Sequence, residues 1–209
     1  MKLAFNLAAT ALAVGISMVG ITAHAATFQE GTDYHVLDNP DNIKGDNVVV
    51  REFFWYGCPH CYSLEPHMDK WLKSKPADVA FFRTPAAMNP VWETNARGFY
   101  AAQLMGHEEK THIQLFDAIH KGNERPFDKA SLTNWYAAQG LDKGKFSGLY
   151  DSFAVNARIA RTQEASQRYG LTGVPAVVVH GKYVVQGESE KVPQVVDFLI
   201  DKVRAENKQ

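Results

Sequence analysis

Cys58 and Cys61 are the residues of this chain best suited to covalent chemistry, and they are its only cysteines. Residues three apart at the start of a helix lie side by side, so a disulfide can join the two sulfur atoms. The unpaired N–H groups and the positive end of the helix dipole stabilise a thiolate there. We therefore expect Cys58 to be the exposed nucleophile and Cys61 to be the more buried resolving thiol.

The two residues between the cysteines favour the same chemistry. Pro59 fits the first helical position, because the N–H that it lacks would be unpaired there anyway. His60 stabilises the Cys58 anion when it is protonated or donates an N–H. Because a stabilised reduced form makes a disulfide a stronger oxidant, the motif predicts a pair that gives its disulfide away.

Three other interpretations of the pair agree less well with the sequence. A structural disulfide usually joins distant segments, whereas a loop this short constrains the unfolded chain little. A zinc site needs four ligands, and Cys58, His60 and Cys61 lie on one turn without a second ligand pair elsewhere. A pair of reduced cysteines in the protein core would not need to lie at the start of a helix. Redox catalysis without a metal or an organic cofactor is favoured, and a structural bridge is the main alternative.

The cysteines lie between a predicted strand and a predicted helix. Residues 48–55 are short, β-branched and aromatic, which indicates a central strand buried on both faces. Apolar residues at helical spacing predict a helix from Cys58 to Lys75, and residues 79–83 predict a second strand. Strand, helix and strand together form a βαβ unit.

The middle of the chain has a different pattern. From about Pro90 to Ser166 the apolar spacing is helical, and strands return only as a hairpin at 176–179 and 183–186, followed by a helix at 192–204. The pattern predicts an α/β domain interrupted by helices. We expect 26–87 and 164–209 to form a discontinuous α/β domain and 88–163 to form a helical insertion domain.

The first 25 residues have the pattern of a secretory signal peptide. Lys2 precedes an apolar stretch from Leu3 to Ile21, and Ala23-His24-Ala25 provides a small-residue cleavage site. A retained membrane anchor is the alternative, but polar and small residues interrupt the apolar run. We expect cleavage after Ala25 and an exported chain in a compartment where disulfides persist.

Composition narrows the class of protein further. The 209 residues are 45% hydrophobic and 22% charged with a net charge of -1, which is typical of a soluble globular protein. No clustered basic face is evident, so nucleic-acid binding is not expected. No later stretch has the roughly 20 apolar residues of a membrane span. The histidines on predicted helices are expected to be surface or packing residues rather than ligands: His67, His107, His112 and His120.

Two segments together resemble a known family. Phe53-Phe54-Trp55-Tyr56-Gly57-Cys58-Pro59-His60-Cys61-Tyr62 and Gly173-Val174-Pro175-Ala176 are similar to segments of the DsbA-type thiol:disulfide oxidoreductases of the bacterial periplasm. The resemblance covers essentially the whole chain after residue 25. It implies an α/β, thioredoxin-like fold with a central mixed β-sheet and an inserted helical domain.

The resemblance also implies roles for residues outside the cysteine motif. Pro175 matches the family's cis-proline, which would lie against the Cys58 sulfur and leave the neighbouring backbone free to pair with an extended substrate. Val174 would tune the reduction potential and substrate release. Glu52 matches a buried acid that would accept the proton of Cys61, although a strand-edge carboxylate facing water is the alternative. Arg83 is the candidate basic partner of Glu52.

The function implied is oxidation of newly exported, reduced polypeptides in the periplasm through a mixed disulfide at Cys58. A quinone-linked inner-membrane oxidase of the DsbB type would reoxidise the pair. We expect a monomer without stable membrane insertion. The alternatives are a disulfide reductase or isomerase with the same motif, or a peptide-binding chaperone in which the cysteine pair is incidental.

Overall fold

The structure is a computed structural model that describes residues 27–45 and 47–208. The predicted signal peptide, residues 1–25, lies outside the described residues. Among the helices that are described, none has the length and apolar character needed to cross a membrane.

A mixed sheet of five strands forms the centre of the described chain. The strands are β1 (His35–Val36), β2 (Val48–Phe54), β3 (Val79–Pro85), β4 (Ala176–Val179) and β5 (Tyr183–Gln186). Their order across the sheet is β1-β5-β4-β2-β3, with β2 parallel to β3 and antiparallel to β4. The predicted α/β class with a central mixed sheet is confirmed, and β2 is the central strand that leads to the cysteines.

Two helices cover one face of the sheet, α1 (Pro59–Leu72) and α7 (Lys191–Glu206). Side chains alternate across a strand, so Val48 and Val50 of β2 lie on the same face. They form one buried cluster with Leu64 of α1 and Leu199 of α7. This apolar contact fixes the direction in which α1 leaves the sheet, and with it the position of the cysteines at its first turn.

The remaining helices follow β3 in the chain. They are α2 (Pro90–Leu104), α3 (Glu108–His120), α4 (Lys129–Ala138), α5 (Lys143–Tyr150) and α6 (Phe153–Arg168). Side-chain oxygens cap the N-termini of four of them, from Asn89, Asp128, Asp142 and Ser152. The predicted domain boundary at 163 falls within α6, and the division into two domains remains a prediction.

The inserted helices share a core with the redox motif. Their buried apolar cluster includes Phe99, Leu115 and Phe116, and it continues into Phe54, Tyr56 and both cysteines. Helix α6 packs on the opposite face of the sheet from α1 and α7, where Phe53 meets the ring of Tyr169 at 6.0 Å. The insert therefore covers the end of β2 at which α1 begins.

The hairpin is confirmed, and one strand was not predicted. His180 and Gly181, in the turn between β4 and β5, have φ angles of 53° and 60°, a region that favours glycine. The sequence pattern predicts no strand before residue 48, but His35 and Val36 pair with Val184 and Tyr183 of β5. A strand of two residues is too short to give the alternation by which strands are identified.

Candidate active site

Cys58 is the N-cap residue of α1. Its backbone is extended, with φ -87° and ψ 116°, and its sulfur accepts a hydrogen bond from the Cys61 N–H at 3.4 Å. Pro59 occupies the first helical turn, as the sequence predicts. The Cys58 sulfur therefore lies among the free N–H groups of the helix start, where negative charge is stabilised.

This position changes the acidity of Cys58. The pKa of Cys58 is lowered to about 6, and the largest cause is the hydrogen bond from the Cys61 thiol. Two further causes act in the same direction, the backbone N–H groups of Cys61 and His60 and the charge of His60. Desolvation acts against them, since Cys58 is only 7% exposed, and the expectation that it is an exposed residue is wrong. At neutral pH the reduced residue is therefore mainly a thiolate, the form that reacts with disulfides.

Cys61 has the opposite character. It is 1% exposed, and burial together with its contact to Cys58 raises its pKa far above the usual range of a thiol. Both cysteines are present as free thiols. One turn of helix thus holds an acidic thiol at its edge and a buried, protonated thiol beneath it.

His60 faces outward and has a partner that could not be predicted from the sequence. Its side chain is 65% exposed, and Nδ1 lies 2.6 Å from Oε2 of Glu188, just after β5. The Glu188 carboxylate raises the pKa of His60. Glu188 is 128 positions from His60 in the sequence, so no local sequence pattern predicts this contact.

The segment before β4 lies against Cys58. The bond between Val174 and Pro175 is cis, and the Cys58 thiol donates to the Val174 carbonyl at 3.5 Å. A pocket of about 320 Å³ opens here, lined by His60, 172–175 and 186–188. His60, Val174 and Pro175 thus line one concave surface, and Cys58 adjoins it through its contact with Val174.

Glu52 lies inside the protein, so the alternative of a carboxylate facing water is wrong. It is 1% exposed, and desolvation followed by repulsion from Glu65 raises its pKa well above the usual value. Arg83 Nε lies 3.6 Å from Glu52 Oε2, but it is not close enough for a hydrogen bond. Arg83 instead donates hydrogen bonds to Glu65 at 3.1 Å and to Asp69 at 3.0 Å. It therefore lies near three carboxylates, those of Glu52, Glu65 and Asp69, rather than near Glu52 alone.

A buried network joins the insert to the motif, and the sequence analysis did not find it. His112 Nε2 lies 2.9 Å from Glu65 Oε1, and His112 Nδ1 lies 3.1 Å from the Tyr56 hydroxyl. Burial lowers the pKa of His112. The contact with His112, followed by that with Arg83, holds the pKa of Glu65 below its usual value in spite of the burial of the carboxyl. A neutral His112 that donates from Nε2 and accepts at Nδ1 satisfies both contacts.

Tyr56 is held at a second point by the same helix. His120 Nε2 donates to the Tyr56 carbonyl at 2.8 Å, and its ring stacks on that of Tyr62 at 4.7 Å. His112 and His120 were expected to be surface or packing residues rather than ligands; both are hydrogen-bonding supports of the segment that precedes Cys58. Within the described ranges, no group of three or more His, Cys, Asp or Glu side chains is arranged to hold a metal ion.

A close contact explains the glycine before Cys58. Trp55 stacks on Trp92 with ring centroids 5.0 Å apart and donates from Nε1 to Asn95 at 2.9 Å. A Cβ atom at Gly57 would overlap the Trp55 ring. Glycine at this position therefore lets the tryptophan lie flat along the backbone that leads into the motif.

Comparison with known proteins identifies the family. A family model described as a DSBA-like thioredoxin domain matches residues 49–199, which include the cysteine motif, the inserted helices and the Val174-Pro175 segment. The chain belongs to the DsbA family.

Named relatives and solved structures agree with the DsbA assignment. The thiol:disulfide interchange protein DsbA of Pseudomonas syringae pv. tomato is 41% identical over 207 residues, covering 96% of each chain. The protein of the same name from Pseudomonas aeruginosa is 35% identical over 209 residues, covering 98% of this chain and 99% of its own. The crystal structure of Pseudomonas aeruginosa DsbA superposes with a TM-score of 0.82 at 35% identity, covering 87% and 97%.

A more distant DsbA structure shares the same architecture. The oxidoreductase NmDsbA1 of Neisseria meningitidis has a TM-score of 0.76 at 32% identity and covers 87% of this chain and 96% of its own. These findings confirm the thioredoxin-like fold. The chain is a thiol:disulfide oxidoreductase, and this activity is favoured over a chaperone with an incidental cysteine pair.

Proposed function

We propose that the chain is a dithiol oxidase that transfers its Cys58–Cys61 disulfide to reduced, newly exported polypeptides. A substrate thiolate attacks the Cys58 sulfur, which forms a mixed disulfide and releases Cys61 as a thiolate that takes up a proton. A second substrate thiolate then attacks the substrate sulfur of the mixed disulfide, and Cys58 leaves as a thiolate. The substrate gains a disulfide, and the enzyme pair gains the two electrons.

The contrast between the two thiols is the observation that carries this proposal. A thiol with a pKa of about 6 is a good leaving group at neutral pH, so Cys58 departs readily from a mixed disulfide. A stabilised Cys58 thiolate also favours the reduced enzyme, which makes its disulfide oxidising. The buried, protonated Cys61 is poorly placed to meet substrate, and this supports its role as the internal resolving thiol.

We assign substrate binding to the pocket beside Cys58. Val174 and Pro175 form one wall, and His60 forms another. An extended polypeptide laid along this segment would bring its cysteine to the Cys58 sulfur, and backbone hydrogen bonds would allow many sequences to bind. The contact of the Val174 carbonyl with the Cys58 thiol supports a role for Val174 in tuning potential and substrate release.

Glu52 is proposed to exchange the proton of Cys61. The carboxyl is buried, desolvation raises its pKa well above the usual value, and in its ionised form it opposes ionisation of Cys61. It would donate a proton when Cys61 is released and accept one when Cys61 attacks during reoxidation. Arg83 moderates this acidity electrostatically, because an arginine does not itself titrate in this range.

The cellular setting follows from the family and the N-terminal pattern. We propose that the protein acts in the periplasm as a monomer after cleavage behind Ala25. A quinone-linked inner-membrane oxidase of the DsbB type would restore the Cys58–Cys61 disulfide, so no resident cofactor is needed. A reductase or isomerase with the same motif is the competing function.

The proposal is tested by mixing the oxidised protein with a reduced, unfolded protein that contains paired cysteines. Wild type should form the substrate disulfide stoichiometrically, and Cys58→Ser should be inactive. Reduced Cys61→Ser, mixed instead with the oxidised, disulfide-containing form of the substrate, should accumulate a mixed disulfide at Cys58 as a substrate thiolate is released. Equilibration with glutathione should give a reduction potential well above the roughly -270 mV of thioredoxin. A potential near that value would instead assign the chain as a reductase.

A further inference from the structure

A second concave surface lies on the face of the sheet that α6 covers. The groove has a volume of about 590 Å³ and runs between strands β2 and β3 and helices α2 and α6. It shares no lining residue with the pocket beside Cys58. Of the residues that line it, only Arg83 has a role in the proposed oxidase mechanism.

Arginines dominate the charge of this groove. Its lining contains Arg51, Arg83, Arg158, Arg161 and Arg168. Arg83 is bound by carboxylates on its other side, and Arg168 pairs with Asp41 at 3.1 Å. The other three form no ion pair with any residue that the structure describes. The expectation that the chain has no clustered basic face is wrong here, because residues far apart in sequence supply the charges.

The guanidinium groups are held in place by neutral partners. Arg51 Nη1 donates to Thr84 Oγ1 at 2.9 Å, and Arg51 Cζ lies 5.2 Å from the Phe82 ring centroid. Arg158 Nη1 donates to Gln103 Oε1 at 3.0 Å, and Arg158 Cζ lies 5.9 Å from the ring centroid of Tyr100. Such partners fix the position of each cation without neutralising it, and each guanidinium retains further N–H donors.

Two arginines lie in the same groove as Tyr100, since Arg51, Tyr100 and Arg158 all line it. The Tyr100 hydroxyl hydrogen-bonds Thr162 at 2.5 Å, and the Arg158 guanidinium carbon lies 5.9 Å from the Tyr100 ring centroid. Two fixed positive charges around one cleft are suited to a ligand with more than one anionic group.

The carboxylates of the groove do not cancel this charge. Asp41 and Glu164 are the acidic residues in the lining, and Asp41 is already engaged by Arg168 and by the Tyr169 hydroxyl at 2.5 Å. The net charge of the chain is only -1, so the excess of positive charge is local. The rim also carries Phe82, which is 46% exposed and offers an apolar surface beside Arg51.

We propose that this groove binds a small organic polyanion, with its carboxylate or phosphate groups on Arg51, Arg158 and Arg161 and its apolar part against Phe82. The planar guanidinium fork binds both kinds of anion through paired hydrogen bonds. The volume falls within the range of roughly 300–1,000 Å³ found for small-molecule sites.

Calorimetric titration with three probes tests the proposal: benzene-1,3,5-tricarboxylate, citrate and pyrophosphate. Wild type should bind one equivalent, with the aromatic tricarboxylate tighter than citrate because its ring contacts Phe82. Comparison of citrate with pyrophosphate distinguishes carboxylate from phosphate ligands. Arg158→Gln and Arg161→Gln should each weaken binding at least tenfold. Arg97→Gln is the matched control, because Arg97 pairs with Glu93 outside the groove.

Three results would overturn the proposal. They are the absence of binding by any probe at millimolar concentration, an equal loss of affinity in Arg97→Gln, and binding of polyglutamate alone. The last would assign the groove to an acidic protein partner. Oxidase activity of each variant should stay at the wild-type level, which verifies folding and separates this test from that of the proposed function.

Discussion

Glu188, after β5, holds His60, on the first turn of α1, with 2.6 Å between Oε2 and Nδ1. The contact closes one side of the pocket beside Cys58. A carboxylate at this distance favours the imidazolium form, so His60 keeps its positive charge to a higher pH than a free histidine does. The histidine of the motif therefore depends for its charge on a residue outside the motif.

Replacement of Glu188 tests this dependence. Glu188→Gln should lower the pKa of His60 toward about 6.5, the value of an unperturbed histidine. NMR titration of the imidazole protons measures the shift. Glu190→Gln is the control, since Glu190 is also an exposed carboxylate and its side chain makes no capping bond to α7. An equal shift in both variants would show that general surface charge, and not the contact, sets the His60 pKa.

Removal of the Cys61 thiol should make Cys58 less acidic. The Cys61 thiol is the largest cause of the depressed Cys58 pKa, so the thiolate absorbance of Cys61→Ala should titrate above the wild-type midpoint of about 6. Alkylation rates at Cys58 provide an independent readout. A wild-type midpoint near the ordinary value of 9.0 would contradict the assignment of Cys58 as the stabilised thiolate.

The same shift gives the reduced protein a pH-dependent stability. The pKa of Cys58 is about 6 in the folded protein and about 9 in the unfolded chain. The Cys58 thiolate therefore stabilises the fold fully above pH 9, and this stabilisation is lost as the pH falls toward 6. Urea unfolding of the reduced protein, compared with Cys58→Ala across this range, should show the difference shrinking at low pH. A pH-independent difference would exclude a charged Cys58 as its source.

Loss of His112 should destabilise the junction between insert and sheet. His112→Ala leaves Glu65 and the Tyr56 hydroxyl without a buried partner, which should cost about 3 kcal/mol in the free energy of unfolding. His67→Ala, on the outer part of α1, should change it by less than about 0.5 kcal/mol. Similar losses in the two variants, measured by denaturant unfolding, would show that the network contributes nothing specific.

Glu52→Gln should slow the thiol chemistry and stabilise the fold. Loss of the proton carrier for Cys61 should reduce the rate of reduction by substrate about 10-fold or more. The pKa of Glu52 is higher in the folded state than its value of about 4.5 in the unfolded chain. The carboxyl therefore stabilises the fold below pH 4.5, and this stabilisation is lost as the pH rises through the folded-state pKa. The amide should therefore raise stability at neutral pH. An unchanged rate in stopped-flow fluorescence would remove Glu52 from the mechanism.

Gly57→Ala should disturb the segment before the nucleophile. The new methyl group overlaps the Trp55 ring and must displace it from Trp92, which should cost roughly 1–3 kcal/mol. Gly148→Ala is the matched control, because that helical position is open and alanine should stabilise it by about 0.5–1 kcal/mol. Equal melting temperatures for the two variants would refute the packing argument.

Local patterns in the sequence were sufficient for most of the fold. Strand β2, helix α1 and the hairpin of β4 and β5 have clear periodicity or turn residues, so their positions were predicted to within a few residues. Strand β1 was missed because two residues carry no periodicity. The acidity of Cys58 was also predictable, since it arises within one turn of helix.

Contacts between distant segments were beyond the reach of these patterns. Glu65 and Tyr56 lie near the motif in sequence, but the histidine that joins them is on α3. The contact between Glu188 and His60 and the clustering of arginines in the groove likewise depend on how separate elements pack. Their residue types are ordinary for surfaces and helices, so only the fold reveals them.

The two hydrogen bonds to Tyr56 determine which elements must be transferred together when the redox site is grafted onto another protein. His112 fixes its hydroxyl and His120 fixes its carbonyl, two residues before Cys58. A graft of β2 and α1 alone into a minimal scaffold would carry the cysteines but leave both supports behind. A portable unit must therefore include α3 as well as β2 and α1.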